Sequence, residues 1–450
     1  MFNLLVIGGG PAGHAAAEHA GKAGLSTYLI EKGLLGGVCL NEGCIPSKTL
    51  LHCVKLFSAA KSSAAFGVTA AGVSFDLTTV MARKQKTVET LRNGIAFTLS
   101  KSKVETCAGC ARILGGTEGG FRVEAAGEVR EAQRLLVCTG SEAMKLSVPG
   151  AQQDFVMTNR EILSVDSIPS KIVVVGGGAI GLEFASFFAE AGSRVTVIEI
   201  LPSIGGPLDK DIAAALKREL EKKGITFCLQ SKVSAIGDHL VTFESDGKSS
   251  EIPADIVLIS VGRKPVVAGF GLETLGVHLE KGAIKTDERG RTNVSGVWAA
   301  GDVNGVSMLA HTAFREAKAC VHDMLGTADS VNYRAIPSVI YTHPEAASVG
   351  LTKDDAAALG LRPVEARLPL TYNGRYLAET DGERGTIRVV ADAESGKVLG
   401  VHMLGGNCSE IIWGAAAVIE RGLTVDDLSK VVFPHPTLSE IIGDAAAQLR

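Results

Sequence analysis

The chain has 450 residues, too many for one ordinary core, so two to four domains are expected. Hydrophobic residues make up 46%, charged residues 21%, and the net charge is -4; this is a globular balance without the basic stripe of a nucleic-acid binder. No apolar run reaches membrane-spanning length, and the start Met1-Phe2-Asn3 lacks a charged lead and a small-residue cleavage site, so no membrane partner and a cytoplasmic location are expected. Nine cysteines, an odd number scattered along the chain, fit a reducing compartment, where a close pair points to catalysis or metal binding.

In chain order, the run Leu4–Ile7 predicts a buried strand. It enters Gly8-Gly9-Gly10-Pro11-Ala12-Gly13, which has the form GxGxxG, and a helix is predicted over 12–23. A strand over 26–30 ends at Glu31. Such a unit suits a dinucleotide. Its glycines permit a tight turn and close approach of the pyrophosphate, the helix offers unpaired N–H groups, and the acid accepts from ribose hydroxyls.

Next comes Gly36-Gly37-Val38-Cys39-Leu40-Asn41-Glu42-Gly43-Cys44-Ile45-Pro46-Ser47-Lys48. Cysteines five positions apart can close a small disulfide loop, with Gly43 giving freedom to turn. Pro46 suits the first turn of a helix, which puts Cys44 at a helix N-terminus where a thiolate is stabilised; Lys48 adds positive charge. The bland alternative is two buried free thiols. A long helix over 77–102 and a strand-like segment follow. There Cys107 and Cys110 form a CxxC with no second pair or histidines to complete a zinc set, so no metal site is expected. Cys53, Cys138, Cys228, Cys320 and Cys408 read as core, and His14 as a packed or solvent-facing helix residue.

The device then recurs. A strand at Lys171–Val175 meets Gly176-Gly177-Gly178-Ala179-Ile180-Gly181, then a helix over 182–191, a strand at Arg194–Ile198, and Glu199. In each copy the acid lies eighteen residues after the last glycine. A lone GxGxxG is weak; two in full context are strong. Glu199, with no basic residue before Lys210, favours NAD over NADP. Later strands over 134–139, 255–261 and 296–300 run into Gly140-Ser141, Gly262-Arg263 and Gly301-Asp302. The ends of such strands are where ligands of open sheets sit, which suits Asp302 to a cofactor hydroxyl, with a helix or turn cap as its alternative. From about 336 on, strands over 385–390 and 398–404 and a helix over 411–419 carry no nucleotide motif. In Phe433-Pro434-His435-Pro436 the histidine is held between prolines. Thr437-x-x-Glu440 reads as a capping box opening a helix over 438–449, and Glu440 can also orient His435 as an acid–base pair.

The segment CLNEGCIPSK resembles the redox loop of the pyridine nucleotide–disulfide oxidoreductases. Ser47 before Lys48 and Leu40 after Cys39 make it similar to the dihydrolipoamide dehydrogenase branch. The likeness runs over essentially the whole chain, including Met308-Leu309-Ala310-His311, Tyr341-Thr342-His343-Pro344-Glu345 and His435-Pro436-Thr437-Leu438-Ser439-Glu440. Val38 stands where the family usually has Thr, and Glu42 where it has Val; a negative charge in the loop implies a modestly altered redox poise.

The resemblance implies an α/β fold with two Rossmann-like dinucleotide-binding domains, for FAD (1–146) and NAD (147–265). A central domain (266–335) returns to FAD, and a C-terminal α+β dimerisation domain spans 336–450. It implies FAD on Gly8, Gly10, Gly13 and Glu31, with Asp302 near its ribityl chain, and NAD on Gly178, Gly181 and Glu199. Further cofactor contacts are implied at Ala111, Gly140, Ser141, Val233, Gly262, Met308, Leu309, Ala310 and His311. Lys48 would approach the flavin and pair with Glu183, which could instead be a first-turn helix acid. Cys39 and Cys44 would be the redox pair, with His435 and Glu440 serving the other subunit of a homodimer. The implied activity is NAD-dependent oxidation of dihydrolipoamide on a lipoyl domain or carrier protein, in a 2-oxoacid dehydrogenase or glycine cleavage system. The alternatives are a flavin reductase of a low-molecular-weight disulfide and a flavoprotein with a purely structural role in a complex.

Overall fold

The computed structural model describes residues 1–117 and 119–449. In chain order its principal elements begin with β1 (Leu4–Ile7), α1 (Pro11–Lys22), β2 (Thr27–Glu31), α2 (Gly37–Glu42), α3 (Cys44–Ser62) and α4 (Leu77–Lys101). Strands β3 (Glu105–Ala108), β4 (Leu135–Val137) and β5 (Val156–Met157) follow. The second half of the α/β part holds β6 (Lys171–Val175), α5 (Ala179–Ala191), β7 (Arg194–Ile198), α6 (Lys210–Lys222), β8 (Thr226–Cys228), β9 (Ile256–Ile259), β10 (Val297–Ala299) and α7 (Ala310–Met324). The C-terminal part contributes β11 (Ser338–Ile340), β12 (Glu345–Gly350), β13 (Pro363–Pro369), β14 (Thr386–Asp392), β15 (Val398–Gly405), α8 (Cys408–Glu420) and α9 (Glu440–Ala447).

Two compact units emerge. The first comprises 1–49, 81–144 and 262–331; the second comprises 50–80, 145–261 and 332–450. The first is built on a parallel sheet of order β10-β4-β1-β2-β3. The strand 297–299, distant in sequence, thus completes the sheet that the first GxGxxG opens. Every side chain of β1 is buried, and they alternate between two cores. Leu4 and Val6 join Ala16, Ala20, Ala313 and Ala317, where α1 and α7 cover one face. Leu5 and Ile7 join Ile113, Val123 and Phe270 on the other. Period-two alternation inside a continuously apolar run is what a strand buried on both faces requires.

The second unit holds a parallel sheet of order β8-β7-β6-β9-β5 and an antiparallel sheet of order β11-β12-β15-β14-β13. The parallel sheet buries Val173, Val175, Ile198, Val257 and Ile259 on one face. The antiparallel sheet buries Val349, Ile387, Val389, Val401 and Met403 beneath α8 and α9.

Several boundaries differ from expectation. Residues 50–80, read as part of the first domain, cluster with the second unit. The helix expected to open at Cys44 is present, but the segment before it, expected as part of a loop, is a short helix of its own; the two are broken at Gly43, whose φ of -149° and ψ of -106° leave the helical region. The last helix begins at Glu440, not 437–438, with Ser439 before it. The Thr437 hydroxyl donates to the Pro434 carbonyl at 2.8 Å, and no hydrogen bond from the helix N–H groups to its oxygen accompanies this; only the Glu440 half of the expected box is present. Cys138, Cys320 and Cys408 are buried as expected, whereas Cys53 and Cys228 are only half-buried.

Candidate active site

The two glycine turns repeat each other closely. In the first, a Cβ on Gly8 would lie 2.2 Å from the Cys138 carbonyl oxygen, and one on Gly13 would lie 1.7 Å from that of Gly8. In the second, a Cβ on Gly176 would meet the Ser260 carbonyl oxygen at 2.5 Å, and one on Gly181 that of Gly176 at 2.1 Å. Only hydrogen fits, and Gly8 and Gly176 also hold φ near +105°, which L side chains rarely adopt (+104° and +106°). The middle glycine is different. Gly10 has nothing closer than 3.8 Å, and Gly178 nothing within 4 Å. Each is the N-cap of its helix, and neither α1 nor α5 has a side chain satisfying its first N–H groups. Open space before uncapped donors is what a pyrophosphate needs, so both turns fit a dinucleotide.

The acids match too. Glu31 accepts from the Gly9 N–H at 2.5 Å and the Gly33 N–H at 2.6 Å. Glu199 accepts from the Gly177 N–H at 2.6 Å and the Leu201 N–H at 2.8 Å. Each carboxylate ties its turn to the end of the next strand, at the rim where a ribose would lie. Ala111 and Val233, by contrast, bury their side chains in the cores, so only backbone atoms there can meet a ligand.

Cys39 and Cys44 form a disulfide with a Cα–Cα distance of 4.7 Å. Cys39 lies within α2, and Cys44 is the first residue of α3, so its sulfur sits at a helix N-terminus. The break between the helices is braced: the Ser47 hydroxyl and N–H both donate to the Gly43 carbonyl, at 2.6 and 3.0 Å. Asn41 donates to the carbonyls of Gly37 and Leu35 at 2.9 and 3.1 Å and accepts from Arg92 at 2.9 Å. The pair is also fastened to the first turn. The Gly36 N–H donates to the Gly9 carbonyl at 2.8 Å, and a Cβ on Gly37, at φ +57°, would lie 2.7 Å from the Gly10 Cα. The disulfide helix therefore begins in van der Waals contact with the proposed pyrophosphate turn. Lys48 is half-buried one turn into α3.

Asp302 follows β10, half-exposed, and accepts from the Ser141 hydroxyl at 2.5 Å; Arg263 donates to the Ser141 hydroxyl and carbonyl, both at 2.8 Å. Gly140, at φ +71° with open space around it, and Gly262 belong to this cluster. Beneath it lies Glu316, 2% exposed, which accepts from the Gly301 N–H at 2.6 Å and the Asn304 amide at 2.9 Å. Sequence reasoning missed Arg263, Glu316 and Asn41 as positioning residues. A signal for Glu316 exists: it shares the α7 face of Ala313, Ala317 and Cys320, where an unpaired acid would be costly. Met308, Leu309, Ala310 and His311 form the approach to α7 and its first turn, again without a side-chain cap.

His435 is 83% exposed, and its Nδ1 lies 2.9 Å from Glu440 Oε1. Glu440 Oε2 accepts from the Thr437 N–H at 2.8 Å. One carboxylate thus serves both roles read from the sequence. The Thr437 N–H and then the His435 ring hold the Glu440 carboxyl below its usual range. With Nδ1 engaged, Nε2 is the nitrogen left to exchange a proton with a substrate. Glu183 is not a first-turn acid. It is buried within α5 and accepts from the Tyr341 N–H at 3.2 Å. His343 is pushed down to about 3 by burial and then by Lys223 and Lys55, and so is neutral. Among the described residues no group of three potential metal ligands occurs, Cys107 and Cys110 are free, and no helix is long and apolar enough to cross a membrane.

Comparison with known proteins agrees with this geometry. The profile of the pyridine nucleotide-disulphide oxidoreductases matches residues 2–317, and that of their dimerisation domain matches 336–446. The chain is similar to a mitochondrial dihydrolipoyl dehydrogenase of Pisum sativum, at 38% identity over 99% of this chain and 90% of the relative. It is equally similar to a dihydrolipoyl dehydrogenase of Chlorobaculum parvum, at 38% over 99% and 96%. Among solved structures, LpdA from Mycobacterium tuberculosis superposes with a TM-score of 0.91 at 27% identity, covering 100% of both chains.

Proposed function

The chain belongs to the pyridine nucleotide-disulphide oxidoreductase family, and on that premise we propose that it oxidises a dihydrolipoyl dithiol and reduces NAD. The observation that carries this reading is the packing of Gly37 on Gly10, which begins the disulfide helix against the first dinucleotide turn. Gly8, Gly10, Gly13 and Glu31 would hold FAD, with Asp302, Ser141 and the Met308–His311 stretch along it. Gly178, Gly181 and Glu199 would hold NAD. When bound, these groups supply the two-electron chemistry between dithiol and nicotinamide.

The chain's own residues do the rest. His435, oriented by Glu440, takes a proton from one substrate thiol. The thiolate attacks the Cys39 sulfur, forming a mixed disulfide while the Cys39–Cys44 bond breaks and its electron pair leaves on Cys44. The second substrate sulfur, its proton passing to the departing Cys39 sulfur, then attacks the substrate sulfur of that mixed disulfide. Cyclic lipoyl disulfide is released, and both protein sulfurs are left reduced. The helix N-terminus at Cys44 stabilises the thiolate formed there, and Lys48 adds positive charge, paired in this reading with Glu183. The family's dimerisation domain supports a homodimer. In the proposed reading, His435 completes the partner subunit's site and the lipoyl group arrives on a carrier protein. The cysteines that remain free accord with a reducing, cytoplasmic setting.

The test is a turnover assay of purified protein with NAD against NADP and lipoamide against glutathione disulfide. Lipoamide with NAD is expected to dominate; preference for glutathione disulfide would replace the reading with that of a small-disulfide reductase. His435→Gln is expected to slow dithiol oxidation on the order of a hundredfold. An unchanged reductive half-reaction would remove the proton-transfer role.

A further inference from the structure

A cavity of about 630 Å³ lies between α6 and the β13–β14 edge of the antiparallel sheet, and none of its lining residues belongs to either glycine turn. Its wall carries four cations, Arg218, Lys222, Arg367 and Arg384, against one acid, Glu219; Thr371 adds a hydroxyl. Arg218 and Lys222 are one turn apart on α6 and so face the same side. Lys222 is paired with Glu219 at 2.7 Å, and Arg367 reaches the exposed Asp211 only at 3.4 Å. Arg218 and Arg384 enter no hydrogen bond or ion pair among the described residues. Both guanidiniums are exposed to solvent at the mouth of the cavity, free to engage an anion, and planar guanidinium donors match phosphate oxygens. The volume is that of a small-molecule site, which favours a compact ligand over an extended acidic segment.

We propose that this cavity binds a compact, multiply charged phosphate anion, of the tripolyphosphate or nucleoside triphosphate class, separately from the dinucleotide sites. Calorimetric titration of the holoenzyme with inorganic tripolyphosphate, in the presence of saturating NADH, tests it. One site per chain is expected, weakened at least tenfold in the R218Q/R384Q variant and kept in R218K/R384K. An ATP arm separates the sources: tighter binding than tripolyphosphate means a nucleoside phosphate, and equal binding means the phosphate chain alone. Lipoamide turnover of R218Q/R384Q without added anion is expected to equal that of the parent, which shows that its fold is intact; if it falls, R384Q alone is titrated and read by the same criterion. The proposal is overturned by no binding, by binding unchanged in the glutamine variant, by displacement with NADH, or by tighter binding of an oligo-aspartate peptide.

Discussion

The two dinucleotide turns share a backbone but not a covering. In both, an acid ties the turn to the next strand, and a later glycine donates to the turn's middle: Gly36 to the Gly9 carbonyl and Gly205 to the Gly177 carbonyl, each at 2.8 Å. After that the copies diverge. In the first, Gly37 presses on Gly10 and the chain enters the cysteine helix. In the second, Gly206 has nothing within 4 Å of a Cβ, Gly178 is open, and α6 starts later with Asp209 as its side-chain cap. In the proposed reading one scaffold does two jobs, and the segment after the second strand decides which. In that reading, the turn that α2 abuts holds a cofactor that stays, next to a fixed redox pair, and the turn with no such neighbour holds one that comes and goes.

The largest effect expected from breaking this asymmetry is at the sulfurs. Cys44→Ser removes the redox pair from the first copy and leaves the second intact. Lipoamide turnover should fall at least a thousandfold, the order seen when an essential nucleophilic unit is removed. NADH oxidation by an artificial acceptor should persist. Loss of both activities together would mean that the copies do not divide the work between them.

The covering itself is tested by a matched pair. Gly37→Ala adds a Cβ at 2.7 Å from a backbone carbon at φ +57°, whereas Gly206→Ala adds one into open space at φ +62°. Both bear a strain of about 1 kcal/mol from the left-handed backbone. Only Gly37→Ala must also move α2 off the turn. FAD retention on dialysis and lipoamide activity should drop about tenfold for Gly37→Ala and less than about twofold for Gly206→Ala, given about 1.4 kcal/mol per tenfold. Equal losses would show that strain alone decides. A smaller contrast is expected from Glu199→Gln, which weakens one hydrogen-bonded rim of the open site. The KM for NADH should rise roughly threefold to tenfold, the scale of one charge-assisted hydrogen bond, with flavin content unchanged.

Sequence legibility divided along the same line. Locally coded features were readable: the strands Lys171–Val175 and Arg194–Ile198 fall where their apolar runs place them, and the equal acid spacing returns as two equivalent carboxylate ties. Cys39, Cys44, His435 and Glu440 could be named because each pair sits within a few residues. The features that stayed hidden depend on partners far along the chain. Arg263 meets Ser141 across 122 positions, and Arg92 braces Asn41 across 51. Glu316 is a brace only because Gly301 and Asn304 fold back over α7. The break at Gly43 was readable as freedom to turn, but not as a join between two helices, since six residues carry too little periodicity to announce α2.

The last contrast lies one residue past each turn. Leu182 is fully buried at the position where the first copy has His14, which packs edge-on against Phe314. Burial pushes the His14 pKa down to about 4, with Glu18 opposing. Its folded value is thus below the unfolded one near 6.5, and the unfolded chain binds the proton more readily in between. Stability tied to neutral His14 is therefore intact above about pH 6.5 and is lost as pH falls toward 4, by about 2–3 kcal/mol at 1.36 kcal/mol per unit. His14→Leu, the residue the second copy supplies, should remove that part of the acid slope in urea denaturation of the holoenzyme, leaving the remaining carboxylate-driven loss. A stability difference between His14→Leu and the parent that stays constant from pH 7 to pH 4 would show that the histidine is not held neutral by its packing.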